Sequence, residues 1–237
     1  MNKKSVTILG ISIWKLFAYF IIYSFIGYII ETLFGIATKG VWESRQSFLY
    51  GPFCGIYGIG AITITLLSRY FNKNKLTLFV GGFLVGSVTE YTISFLVDTI
   101  LHTKWWDYSN RKFNINGRVC LNNAFFFGVL GTFLVYFANP FFEGLLLKIN
   151  TNTLNIISLI LLIIFTIDFI ISTYASFKLK NSLSKIDKDS TEEIKEKIKE
   201  KIDSKFLNRR IFKAYPKYKI NIIKRLEEYR KEKIEKK

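Results

Sequence analysis

One histidine, one methionine, two cysteines and three prolines are spread over 237 residues, and each scarcity excludes something. A lone His102 rules out an HExxH motif or any histidine pair on a metal. Cys54 and Cys120 are too few for a disulfide framework and lack the paired spacing of a zinc site. Both are read as reduced, small, buried apolar residues. No G-x-x-x-x-G-K-[ST] occurs, so the chain has no loop of its own to cradle ATP phosphates. Acidic residues are outnumbered, 18 against 34 Lys and Arg, which leaves a net charge of +16. No cofactor, metal site or catalytic residue is expected, and the chain leans away from being an enzyme.

What is abundant is apolar: half the residues are hydrophobic and 23 are Phe. Four long windows carry almost no charge, about residues 16–35, 76–101, 124–147 and 154–177, each near the roughly 20 residues a spanning helix needs. A fifth, 53–67, is shorter and rich in glycine. The expected fold is all-α: a polytopic membrane protein of about five transmembrane helices over residues 1–177, followed by a basic cytoplasmic helical tail, 178–237. Basic residues precede the first window, which runs on to Gly35 without a small-x-small cleavage site, so it reads as an uncleaved first helix.

Charge sets the orientation. Residues 178–237 hold 21 Lys and Arg against 11 Asp and Glu, which places the tail on the cytoplasmic side. Five crossings then put the N-terminus outside. The inner loops carry Lys39, Arg45, Lys104, Arg111, Lys112 and Arg118, against Arg69, Lys73, Lys75 and Lys148 outside.

Two stretches resemble each other. "GYIIETLFG" from Gly27 and "GSVTEYTIS" from Gly86 both place a glutamate four residues after a glycine. Downstream, Trp42 and Glu43 match Trp106 and Asp107, while Gly51 and Cys54 match Gly117 and Cys120 at identical spacing. Two helices per unit make this a parallel two-plus-two repeat, with the fifth helix outside it. Gly51-x-x-x-Gly55, Gly82-x-x-x-Gly86, Gly58 and Gly60 are expected to allow close helix contact. Pro52 is expected in the first turn of the second helix, where no N–H partner is lost.

Glu31, Glu90, Asp98 and Asp168 lie within the apolar windows. A carboxylate near the bilayer centre costs at least ~2.5 to 3.5 kcal/mol, so it faces a bundle interior or a wet cavity and finds a partner. At 100° per residue, Ser24, Gly27, Tyr28, Glu31 and Gly35 share one face, as do Ser87, Glu90, Tyr91, Ser94 and Asp98. One substrate cavity lined by the four carboxylates is the functional expectation; buried pairs that fix helix packing are the alternative. The inner loops supply Trp42, Arg45, Tyr50, Gly51, Pro52, Trp106, Asp107, Tyr108, Gly117 and Arg118 as an inner gate.

In the tail, Ser190 three residues before Glu193 has capping-box spacing, and Ile194, Ile198, Ile202 and Phe206 share a helical face. Arg209, Arg210 and Lys213 stand among aromatics, a mixture suited to anionic headgroups or a protein partner, with nucleic acid the poorer fit.

Taken together, "YGPFCGIYGIGA", "WWDYSNRKFNINGRVCL" and "FLNRRIFKAYP" resemble bacterial multi-pass membrane proteins labelled putative ABC-transporter type IV, over about Trp14 to Leu226. That resemblance implies a protein of the bacterial cytoplasmic membrane acting as a transporter permease, its ATP hydrolysed by a separate subunit. Five spans would work in a homo-oligomer or with that partner. A membrane-embedded enzyme acting on a lipid or isoprenoid, and a non-transporting scaffold with a lipid-binding tail, are the alternative readings.

Overall fold

The computed structural model describes residues 6–39, 49–101 and 106–188. Trp42, Arg45, His102 and the tail residues Arg209, Arg210 and Lys213 lie outside them. An N-terminal hairpin pairs β1 (Thr7–Ile8) with β2 (Ile11–Ser12). Among the described residues six α-helices follow: α1 Ile13–Lys39, α2 Gly55–Phe71, α3 Lys75–Leu101, α4 Leu121–Phe133, α5 Asn139–Leu146 and α6 Thr151–Lys188. A second hairpin, β3 (Asn114–Ile115) with β4 (Val119–Cys120), leads into α4, and a π-helix, Leu134–Ala138, joins α4 to α5.

Four of the described stretches are long and apolar enough to cross a membrane: Ile13–Thr38, Lys75–Ile100, Leu121–Leu146 and Thr151–Ala175. The α2 helix has 17 residues, or about 25 Å at 1.5 Å per residue, a little less than the ~30 Å hydrocarbon core.

The chain forms two compact units, Met1–Leu96 with Trp106–Ile170, and Val97–Trp105 with Ile171–Lys237. In the second, Ser172 and Ala175 of α6 are buried and Asp98 of α3 is half-buried. Both hairpins and the helix pairs, α3 up to Leu96, belong to the first.

Two antiparallel helix pairs make the centre of that first unit, each built on glycine. Along α1 and α2, Gly27 lies under the Tyr57 ring and Gly58 against Ser24 and the Phe20 carbonyl, while Arg69 donates to the Leu9 carbonyl at the far end. Along α3 and α4, Gly82 faces the backbones of Phe127, Gly128 and Gly131, and Gly86 receives the Phe127 ring. With little hydrophobic drive between helices in lipid, such close approach supplies the dispersion contacts that hold them. The Gly82 and Gly86 pair thus packs as its spacing suggests. Gly60 meets nothing within 4 Å and Gly55 makes ordinary van der Waals contact.

Gly51 and Pro52 are not in a helix. The Phe53 N–H closes back on the Gly51 carbonyl at 2.8 Å, and the Cys54 N–H donates to the Ser24 carbonyl at 2.8 Å. These bonds hold the chain outside helical geometry until Cys54, the N-cap of α2. Cys120 is likewise the N-cap of α4, so both helices start just after the repeated cysteine, later than the glycines suggest.

The α6 helix runs parallel to α1. Ser158 reaches the Trp14 carbonyl, and Phe165 packs edge-on against Phe17, Phe20 and Phe53. One turn further, both Asp168 oxygens accept the Tyr50 N–H, at 2.7 and 3.0 Å.

Candidate functional site

The second hairpin explains how a loop residue reaches a buried glutamate. Its turn needs two successive left-handed residues, Asn116 at φ 54° and Gly117 at φ 68°, a conformation that asparagine and glycine tolerate best. Gly117 is fixed twice over, since a side chain there would also strike Asp107 and Ser109. Around this turn the loop bonds to itself. The Tyr108 N–H donates to the Gly117 carbonyl at 2.8 Å, the Trp106 indole to the Arg118 carbonyl at 2.8 Å, and the Ser109 N–H to Asp107 at 2.9 Å. Asn114 bridges the Ser109 and Arg111 carbonyls.

That frame delivers the Tyr108 hydroxyl to Glu90 Oε1 at 3.1 Å, where the Asn123 amide also donates, at 3.3 Å. Burial, with the Glu90 carboxylate beside it, pushes the Tyr108 phenol above its ordinary range, so it stays a donor at physiological pH. Glu90 is 5% exposed, and its second oxygen, Oε2, is buried without a hydrogen bond. The second glutamate is held the same way: Tyr57 donates to Glu31 Oε1 at 2.8 Å. Tyr57 and Tyr108 lie close enough to interact electrostatically. Each of the two carboxylates is therefore held by a phenol, and all four residues belong to one unit.

The other expected residues sort around this centre. Asp168 and Tyr50 tie α6 to the loop before α2. The Arg118 guanidinium donates to the Ser94 carbonyl at 3.2 Å and stacks over Tyr91 and Phe95. Asp98, in the other unit, has an interaction of its own. Among the described residues no three His, Cys, Asp or Glu side chains converge as metal ligands.

Sequence reasoning passed over Tyr57 and Asn123. Both stand three residues after the repeated cysteine, so aligning the two halves one turn further would have paired them. It also passed over a second polar junction. Lys15 of α1 forms an ion pair with Glu143 of α5, and the Tyr23 hydroxyl donates to Asn139 at 2.6 Å, which donates onward to Thr65 of α2 at 3.0 Å. Glu143 lies inside an apolar window, as Glu31 does, and its i+4 spacing from Asn139 was the available signal.

Neither a curated protein nor a solved structure matches the chain. A family model described as putative ABC-transporter type IV matches residues 18–173. That stretch contains both helix pairs apart from the first turn of α1, both glutamates and the loop that carries Tyr108, and the chain belongs to this family.

Proposed function

We propose that this protein is the permease-like membrane subunit of an ABC-type transporter, and that the Glu31–Tyr57 and Glu90–Tyr108–Asn123 constellation receives its cationic or polar cargo or a coupling proton. One observation carries the reading. Glu90 is buried with both its donors on Oε1 and none on Oε2. Its donors are neutral, so a buried carboxyl group is kept with no cation bonded to it among the described residues, a costly arrangement more in keeping with function than with packing. The loop residues Tyr50, Gly51, Pro52, Trp106, Asp107, Tyr108, Gly117 and Arg118, with Trp42 and Arg45, form the inner gate. Asp168 extends the polar lining.

Five crossings of the bacterial cytoplasmic membrane are supported by the parallel course of α1 and α6, because an odd number of alternating spans ends in the direction it began. The C-terminus is then cytoplasmic, and Arg209, Arg210 and Lys213 contact anionic lipid or the ATPase. The matched geometry of Glu31 with Tyr57 and Glu90 with Asn123 favours a duplicated helix pair.

The test is purification of the complex from native membranes. The expected result is an ATP-hydrolysing subunit that co-purifies and whose turnover in proteoliposomes falls when Glu31→Gln and Glu90→Gln are combined, with assembly kept. Repeated purifications without such a subunit would overturn the transport reading. Unchanged turnover in the double variant would overturn the role of the two carboxylates.

A further inference from the structure

The second polar junction reaches from the middle of α1 to the end away from Glu31. Lys15 and Glu31 are sixteen residues apart on α1, about 24 Å at 1.5 Å per residue, while Tyr23 stands midway, about 12 Å from Glu31. At this end Lys15 pairs with Glu143, and Tyr23, Asn139 and Thr65 link α1, α5 and α2 in one hydrogen-bonded chain. Tyr19 and Tyr23, the aromatic wall beneath it, are 2% and 5% exposed. The Phe142 ring meets Tyr23 edge-on at 5.7 Å.

A π-helix, Leu134–Ala138, lies just before Asn139 and Glu143. In α4 the buried face is Ala124, Gly128 and Gly131. At 100° per residue an unbroken α-helix would carry positions 139 and 143 about 50° and 90° from the centre of that face. A π turn accommodates one extra residue and shifts the helix beyond it by about one residue's rotation, and in that register Asn139 meets Tyr23 and Thr65 and Glu143 meets Lys15. A one-residue slip of this turn to α register would rotate both away together, breaking the ion pair and the Tyr23 bond in one step. Helix register shifts of this kind give two discrete states rather than a continuum.

We infer that Lys15–Glu143 and Tyr23–Asn139–Thr65 are a latch that closes the bundle between Glu31 and the end of α1 that carries Lys15, released by register slip of the π-helix Leu134–Ala138. The inference rests on the transport reading, in which a pathway needs a closure on either side of its binding site.

The test uses full-length protein in native membranes, with Cys54→Ala and Cys120→Ala removing the natural thiols and Ala61→Cys as reporter. Ala61 is 5% exposed and packs in the core beside Tyr19 and Tyr23. A membrane-impermeant maleimide is added from outside. Slow labelling is expected in this parent, about fivefold faster labelling when Lys15→Ala or Glu143→Ala breaks the pair, and recovery of the slow rate in the swap Lys15→Glu with Glu143→Lys. Equal rates in parent and single variants would overturn the latch, as would a swap that labels no more slowly than the single variants. The readout needs neither ATP nor cargo. A protein that labels as expected without any ATPase partner keeps the latch and loses the transport reading; a transporter whose labelling ignores the pair does the reverse.

Discussion

Tyr57 and Asn123 occupy the same place in two halves of one chain. Each stands three residues after a helix-capping cysteine and donates to a glutamate, Glu31 and Glu90 respectively, on the neighbouring helix. Each glutamate follows a glycine by four residues, and at both glycines an aromatic ring fills the space left by the missing side chain, Tyr57 at Gly27 and Phe127 at Gly86. In the first half one tyrosine both covers the glycine and donates to the carboxylate. In the second half Phe127 covers, Asn123 donates, and Tyr108 supplies the phenol from the loop. The hydrogen bond is kept while the side chain that makes it changes.

Removing either donor should therefore have parallel effects. Tyr57→Phe and Asn123→Ala each take one bond from a carboxylate, and bonds to charged groups contribute about 1.5 to 3 kcal/mol. Glu31 is half-buried, so the lower end applies to Tyr57. Thermal unfolding in detergent should show Asn123→Ala about 3 to 12 °C below the parent and Tyr57→Phe about 3 to 6 °C below it, given some 2 to 4 °C per kcal/mol for a chain of this size. A midpoint unchanged in both would mean that neither bond stabilises the fold.

The glycines divide sharply by what surrounds them. Gly117→Ala puts a side chain at φ 68° and against Asp107 and Ser109, and a loss of about 2 kcal/mol is expected from the backbone alone. Gly58→Ala drives a methyl into Ser24 and the Phe20 carbonyl and should separate α1 from α2. Gly60→Ala meets nothing within 4 Å and should raise stability by up to about 1 kcal/mol through helix propensity. A stability series that failed to rank Gly60→Ala above the other two would contradict the packing described.

The long spans were legible because lipid demands about 20 apolar residues in a row, a signal that needs no tertiary information. The Gly27–Glu31 and Gly86–Glu90 pattern was legible because a polar stripe on an apolar helix has a period. Three features were not. Asn116-Gly117 is a hairpin signal, yet its strands are two residues long and lie between membrane helices, where periodicity cannot register them. The start of α2 at Gly55 rather than Gly51 depends on the Ser24 carbonyl accepting the Cys54 N–H, a partner thirty residues away. The π turn at Leu134–Ala138 leaves no mark in an apolar run, so Asn139 and Glu143 looked incidental until their partners on α1 and α2 were in view.

Asp168 offers a test that separates tether from lining. It holds the Tyr50 N–H four residues before Cys54, and the Cys54 thiol is buried. Asp168→Ala should free that loop and speed maleimide labelling of Cys54, leaving Cys120, anchored by its own hairpin, at the parent rate. Asp168→Asn retains one acceptor oxygen and should fall between. Equal labelling of both cysteines in all three proteins would show that the bond does not restrain the loop.

Glu90 is the residue at which stability and function should part. In Glu90→Ala the Tyr108 hydroxyl and the Asn123 amide lose their buried acceptor, and a buried donor left unpaired costs about 1 to 3 kcal/mol. Glu90→Gln keeps a carbonyl oxygen for both donors and removes a carboxylate that no cation bonds among the described residues. It leaves an amide N–H₂ where Oε2 was, also unpaired, but a neutral group is far less costly to bury than a charge. The Gln variant should therefore melt at or above the parent temperature while the Ala variant melts below it, and ATPase turnover of the assembled complex should fall in both. Sites kept for function at the expense of stability behave in this way. If Gln destabilised the chain as much as Ala, the carboxylate itself would be needed for folding, and Glu90 would belong with the packing residues instead.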